Sequence, residues 1–234
     1  MNVFVAFFTF CLFLTSCGTT PISKNEIEHA PTMLSGPQLF PVDESQDNPS
    51  FAKFKAEFDQ AIETKDADWI IAHLDENVWS SFGGDGGVDE FIEHYKLREP
   101  DSFFWEAVNT AFELGGAFRE IQGDQRFVAP YVFARFPGEY DAFFYSAVIV
   151  PNALMYFQPN DDADVVGVLK YSVVKTAFKE DRGEKHENGF QKIETTNGLP
   201  GWVREEYIRS PLEHRIGIKQ VGDEWKITFL VEGD

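Results

Sequence analysis

An α+β fold is predicted, with a helix-rich region over residues 51–145 packed on a small β-barrel over 146–209 and a β-hairpin over 210–234. Three observations carry this. Apolar residues recur three or four apart from Phe51 to Phe112, the period of an amphipathic helix. Between Ala147 and Arg204, short runs of branched and aromatic residues alternate with turn clusters, as in the strands of a small barrel. Two further β-type runs flank Gly222-Asp223, a hairpin signal. A length of 234 residues suffices for a core without staples, and 43% hydrophobic content with 24 phenylalanines excludes disorder along the whole chain.

Residues 3–14, VFVAFFTFCLFL, form an apolar run of about a dozen residues, shorter than the roughly 20 needed to span a bilayer. That length suits a signal peptide over residues 1–16. Leu14-Thr15-Ser16-Cys17 resembles the bacterial lipobox, in which a branched apolar residue and small residues precede the cysteine that receives lipid. The resemblance implies cleavage before Cys17, lipidation of Cys17, and a periplasm-side position in the bacterial envelope, held to the membrane by that lipid. Gly18 in place of Asp implies the outer membrane, by similarity to the sorting rule of enteric bacteria. Residues 18–50 are rich in Thr, Pro, Ser, Asn, Asp and Glu, the composition of a flexible tether.

A formal charge of -19 repels phosphates and anionic head groups, which excludes a nucleic-acid partner and a basic membrane-surface protein. Both cysteines, Cys11 and Cys17, lie within the first 17 residues. The body therefore has no thiol for a disulfide, a cysteine zinc site or a thiolate nucleophile.

From Phe51 a first helix turns Phe51, Phe54, Phe58, Ala61 and Ile62 to one face. Asp66 caps a second over residues 69–74, and a short strand over 77–82 ends at Gly83-Gly84-Asp85-Gly86-Gly87. A third helix over 88–97 buries Phe91, Ile92 and Tyr95. A fourth over 102–114 carries Phe103, Phe104, Trp105, Val108 and Phe112 before Gly115-Gly116 stops it. Over residues 51–97 this order resembles the opening of the nuclear-transport-factor-two-like cone fold, the family that includes ketosteroid isomerase. That likeness implies an alternative function, a small enzyme working through carboxylates of the middle region, with Asp85 and Glu90 the candidates. The glycine cluster lacks the Lys-Ser or Lys-Thr of a phosphate loop and reads as the turn that starts the third helix. His73, Asp85, Asp89, Glu90 and His94 match no metal-binding pattern beyond the chance spacing of Glu90 and His94, so no metal and no cofactor is expected.

Strands are predicted over residues 147–150, 155–157, 165–169, 173–177, 190–194 and 201–204, with the acidic run 160–164 as a solvated turn. Within them stand Pro159, Val165-Val166-Gly167-Val168-Leu169-Lys170-Tyr171, Asn188-Gly189-Phe190-Gln191-Lys192-Ile193 and Asn197-Gly198-Leu199-Pro200-Gly201-Trp202-Val203, closed by Tyr207-Ile208. These segments resemble a bacterial SH3-like (SH3b) domain, in which a turn delivers Gly-Trp-Val onto a strand. The resemblance implies a binding module, with Tyr156, Phe157, Tyr171, Trp202 and Tyr207 as the aromatic positions around which a peptide or cell-wall ligand would lie. The expectation is a lipid-anchored, non-catalytic envelope protein in a binding or assembly role, with an envelope protein or peptidoglycan as partner.

Overall fold

The computed structural model describes residues 31–80, 83–178 and 183–233. The apolar run, Cys17 and the tether up to residue 30 lie outside them. Helix α1 (Pro49–Thr64) starts where the Asn48 side chain accepts from the amides of Ser50 and Phe51, with Pro49 in the first turn. It ends at Lys65, in the left-handed region at φ 53°. Asp66 caps α2 (Ala67–Ala72) by accepting from the Trp69 amide. Strand β1 (Leu74–Trp79), helix α3 (Val88–Tyr95) and helix α4 (Phe104–Glu113) follow. The strand expected over 77–82 thus begins at Leu74, because β1 takes its register from a parallel partner 153 residues away, Leu74 lying beside Ile227.

Next come β2 (Ala117–Ile121) and β3 (Asp124–Ala129), a hairpin inside the region expected to be helix-rich. Its turn residues, Gln122 at φ 55° and Gly123 at φ 85°, have the pair of positive angles that a two-residue hairpin needs. After the short helix α5 (Tyr131–Ala134) run β4 (Tyr145–Val148), β5 (Ala153–Tyr156), β6 (Val165–Leu169), β7 (Val173–Lys175), β8 (Ala177–Phe178), β9 (Gly183–Glu184), β10 (His186–Glu187), β11 (Phe190–Thr195), β12 (Pro200–Arg204) and β13 (Ile208–Arg209). The chain ends on β14 (Arg215–Val221) and β15 (Glu224–Val231), joined at Gly222-Asp223.

The fold is α+β. A five-stranded sheet has the order β1-β15-β14-β3-β2, so the last two strands sit between the first and the third. Helices α1 to α4 cover one face, burying Phe51, Phe58, Phe91 and Phe104 against Phe127, Ile218 and Ile227. Trp225 Nε1 donates to Ser50 Oγ, and the buried Tyr95 hydroxyl donates to the Leu230 carbonyl at 2.8 Å. The helices were expected on the barrel; they bury themselves instead on this sheet, which exists only once the C-terminal hairpin has paired with β1 and β3. Residues 130–214 leave the sheet after β3 and return at β14, whose Ile216 lies beside Ala129.

That excursion forms a second sheet, in the order β13-β4-β7-β11-β12-β5-β6, around Val148, Met155, Leu169, Val174, Ile193 and Val203. Among the described residues its strands follow an open path. Its β6 edge is covered by residues 31–39: Leu34 N donates to Val168 O, and Val168 N to Thr32 O, at 2.8 and 2.9 Å. This strap then crosses to the first sheet, where Glu44 N donates to Gly116 O and the Glu44 carboxylate accepts from the Phe118 amide. Composition reads the segment as flexible tether, yet Leu39 is buried beside Tyr131 and Val132. Short-range polarity is outweighed here by main-chain pairing with an edge strand.

The join between β13 and β14 is polar and internally bonded. Arg209 is buried, pairs with Glu213 and donates to the His214 carbonyl; Arg215 donates to the carbonyls of Leu212 and Gly233. Half-buried His214 lies 3.6 Å from Glu232. Burial lowers its pKa, aided by Arg209 and His94 and opposed by Glu232 and Glu213.

Two expectations follow. At Gly167 a Cβ would sit 2.6 Å from Leu34 Cγ and 2.9 Å from Thr32 O, so Gly167→Ala should lift the strap. A loss of about 1–3 kcal/mol in urea unfolding and faster proteolysis within residues 31–39 are expected; unchanged cleavage would show that the strap does not depend on this approach. For His214, the fold favours the neutral ring. Above pH 6.5 the unfolded ring is neutral as well and nothing is lost. As pH falls through 6.5 the unfolded chain takes its proton first, so stability declines until the lower folded value is passed. His214→Gln should flatten that part of the stability curve, measured by urea midpoints from pH 8 to 5, while a parallel curve would remove His214 as the cause.

Candidate functional site

Strand alternation divides the five-stranded sheet into two faces. Leu74 and Val78 of β1, Phe127 of β3 and Ile216 and Ile218 of β14 point to the helices. Asp75, Asn77 and Trp79, then Arg126, then Arg215 and Lys219, stand on the opposite face. In β15 a bulge at Thr228, between the Gly217–Phe229 and Ile218–Ile227 pairs, shifts the pleat. Thr228 Oγ1 donates to the Gly217 carbonyl, and the Phe229 ring lies over Gly217. With no side chain at Gly217, the floor of this face is low.

A groove of about 750 Å³ lies there. The sheet forms one wall, and the excursion forms the other through Phe133 of α5, Leu212 and the segment Asp141-Ala142-Phe143. Trp79 and Phe143, 46% and 57% exposed, belong to opposite walls.

Its charges form a row across the strands. Lys219 Nζ is 3.7 Å from Asp75 and 3.6 Å from Asp124, and Arg126 Nη2 is 3.2 Å from the same Asp124. Arg126 Nη1 donates to the Ile121 carbonyl, whereas its Nε is buried with no hydrogen-bond partner. The carboxylates already accept from the main chain or Arg126: Asp75 from Asn77 N, Asp141 from Phe143 N. Arg215 is buried with its guanidinium 5.0 Å from the Phe133 ring centre. Among the described residues no Ser, Cys or His lines the groove, and the Thr228 hydroxyl donates to a carbonyl. The arrangement can hold a ligand.

The aromatic positions expected to bind divide into three places. Tyr156 is buried edge-on against Phe190 at 5.6 Å and lies across from Trp202 in the strand register. Burial raises the pKa of its hydroxyl, with Asp161 and Tyr207 adding and Arg204 opposing. Trp202 is half-buried beneath the Lys185 ammonium, and Tyr207 is half-buried against the second core. Phe157 is 69% exposed. Tyr171 stands apart, its ring 5.6 Å from Phe40 of the strap. Cys17 lies outside the described residues.

The carboxylate candidates have structural partners. Glu90 accepts from the amides of Asp85 and Gly86 and from Ser80 Oγ, closing the glycine turn, while Asp85 is exposed. His73 stacks on Trp69 at 3.7 Å, and exposed His94 packs edge-on against Phe103. No group of His, Cys, Asp and Glu with metal-binding geometry occurs among the described residues. The groove residues Trp79, Arg126, Phe143 and Lys219 were missed by sequence reasoning. The alternation of Arg215-Ile216-Gly217-Ile218-Lys219 marks a strand with a polar face, but nothing local says that this face is walled.

No protein-family model, curated protein or solved structure matches the chain. The geometry of the site is what its function must be read from.

A Cβ on Gly217 would meet Phe229 Cε1 at 2.1 Å, so Gly217→Ala should drive the ring into the groove and lower stability by about 1–3 kcal/mol. Adding Phe229→Ala removes the clashing ring, and the double variant should be more stable than the sum of the single effects predicts in urea unfolding. Strict additivity would show that the ring does not rest on Gly217.

Proposed function

We propose that this chain is a lipid-anchored envelope protein with a non-catalytic binding or assembly role, tethered through Cys17, with residues 146–209 as an SH3-like binding insert. The observation that carries the binding reading is the groove, a walled cleft of about 750 Å³ with Trp79 and Phe143 exposed on its two sides. Glu90 is held by amides of its own turn, which speaks against a carboxylate-driven enzyme.

Several features support the SH3-like reading. A Cβ at Gly201 would sit 2.7 Å from the Met155 side chain, so the Gly-Trp-Val strand lies close over its neighbour. Tyr207 and Ile208 pack on the same core as Val203. The arrangement of α1, α2, β1 and α3 against a sheet supports a cone-like reading of the remaining half. Phe157, just beyond β5, is the most exposed of the aromatic positions and the one with open surface for a peptide or cell-wall ligand. Among the described residues no helix is long and apolar enough to cross a membrane, and in this reading attachment rests on Cys17.

Labelled palmitate should enter the protein and be absent from Cys17→Ala, which should move from the membrane to the soluble fraction; label on Cys17→Ala would overturn the anchor. Phe157→Ser, at an exposed position, should change stability by less than about 0.5 kcal/mol. It should also reduce retention on purified peptidoglycan or crosslinking to an envelope protein. Absence of both interactions in the parent chain would overturn the role of the insert.

A further inference from the structure

We infer that the groove on the open face of the five-stranded sheet is a second site, taking a small amphiphilic carboxylate whose apolar body lies between the walls and whose head group meets Lys219 and Arg126. This is separate from the SH3-like insert and stands whether or not the insert touches the cell wall.

Size is the first argument. A groove of about 750 Å³ is in the range of small-molecule sites, commonly about 300–1,000 Å³, and apolar walls with a few convergent polar groups are their usual make-up. Trp79, Phe133, Phe143 and Phe229 supply such walls, and two of these rings, Trp79 and Phe143, are substantially exposed.

Charge decides the head group. The whole chain carries 39 acidic and 20 basic residues, yet the groove is lined by three cations, Arg126, Arg215 and Lys219, against two carboxylates, Asp75 and Asp141. The lining thus carries one more cation than carboxylate in a chain at -19, with Asp124 just outside it and shared by Lys219 and Arg126. Hydrogen bonding points the same way. The carboxylates beside the groove already accept from Asn77, Phe143 and Arg126. Lys219 approaches Asp75 and Asp124 only to 3.7 and 3.6 Å, longer than a hydrogen bond, and Arg126 Nε is buried and unpartnered. The Lys219 ammonium therefore has N–H groups to give, and the complementary group is an acceptor with negative charge. A single carboxylate on an apolar body satisfies both demands; a cation would stand beside Lys219, Arg126 and Arg215 and be repelled by them.

The test uses the full chain carrying Cys17→Ala, so that no lipid competes. The dye 8-anilinonaphthalene-1-sulfonate, an aromatic body with one anionic group, is titrated by fluorescence and then displaced by octanoate, 1-octanol or octylammonium. Saturable binding of one dye per chain is expected, with octanoate displacing it at about tenfold lower concentration than the neutral or cationic chain. Lys219→Met should weaken dye binding about tenfold, Lys219→Arg should retain it, and Trp79→Ala should weaken it about fivefold. Far-UV circular dichroism identifies any variant that has lost its fold, and the displacement series on the parent chain decides the matter if Lys219→Met has done so. Equal displacement by octylammonium, non-saturable dye binding, or folded Lys219→Met and Trp79→Ala variants that bind as the parent does would each overturn the assignment.

Discussion

The main-chain pairing of β15 with β1 is the constraint on which the rest of the structure depends. Buried strands must place every N–H and C=O in a ladder, and β1 has only one partner in the sheet, supplied by the far end of the chain. Without β14 and β15 the helices would have β2 and β3 alone to cover, too little surface for Phe51, Phe58, Phe91 and Phe104. The same pairing requires that residues 130–214 depart from the edge of one strand and return to its neighbour. The excursion is therefore held at both ends by a single sheet, and the wall it raises beside that sheet creates the groove.

Much of the local structure is legible in the sequence. The apolar period from Phe51, the capping role of Asp66, the run 165–169 and the turn at Gly222-Asp223 all depend on neighbours within a few residues, where pattern and propensity decide. What is missed depends on partners far away. Strand β1 starts at Leu74 because Ile227 lies beside it, and residues 31–39 are held because β6 presents an edge. The β2–β3 hairpin is the exception: its Gln122-Gly123 turn is a local signal, obscured by Arg and Glu in the strands and by the helices before it. The groove could not be read at all, since its walls come from β1, the β2–β3 hairpin, residues 133–143 and the C-terminal strands.

Two glycines show how packing and site geometry are linked. Gly167 lets the strap lie against β6, and Gly217 lets Phe229 lie flat on β14. In each case a residue that weakens a strand by its backbone freedom is tolerated because the close approach it permits buries an apolar side chain, Leu34 or Phe229. The first approach closes an exposed edge against unwanted pairing. The second keeps one side of the sheet open by storing a ring that would otherwise stand in the groove. Edge-covering and site-building use the same device.

An acidic protein whose groove lining carries one more cation than carboxylate raises the question of how an anion reaches it. At physiological ionic strength charges are screened over about 8 Å, so most of the carboxylates on a body of this size act weakly at the groove floor. Within that distance stand Lys219 and Arg126, which share Asp124, and Arg215, which donates to carbonyls. An anion without an apolar part gains only those few contacts and meets the residual repulsion of a chain at -19. An apolar body adds burial at about 25 cal/mol per Å², against Trp79, Phe143 and Phe229, a contribution that salt does not screen. The two features together select for amphiphiles: charge alone is opposed by the surface, and apolar area alone leaves the Lys219 ammonium at 3.6 Å or more from its carboxylates.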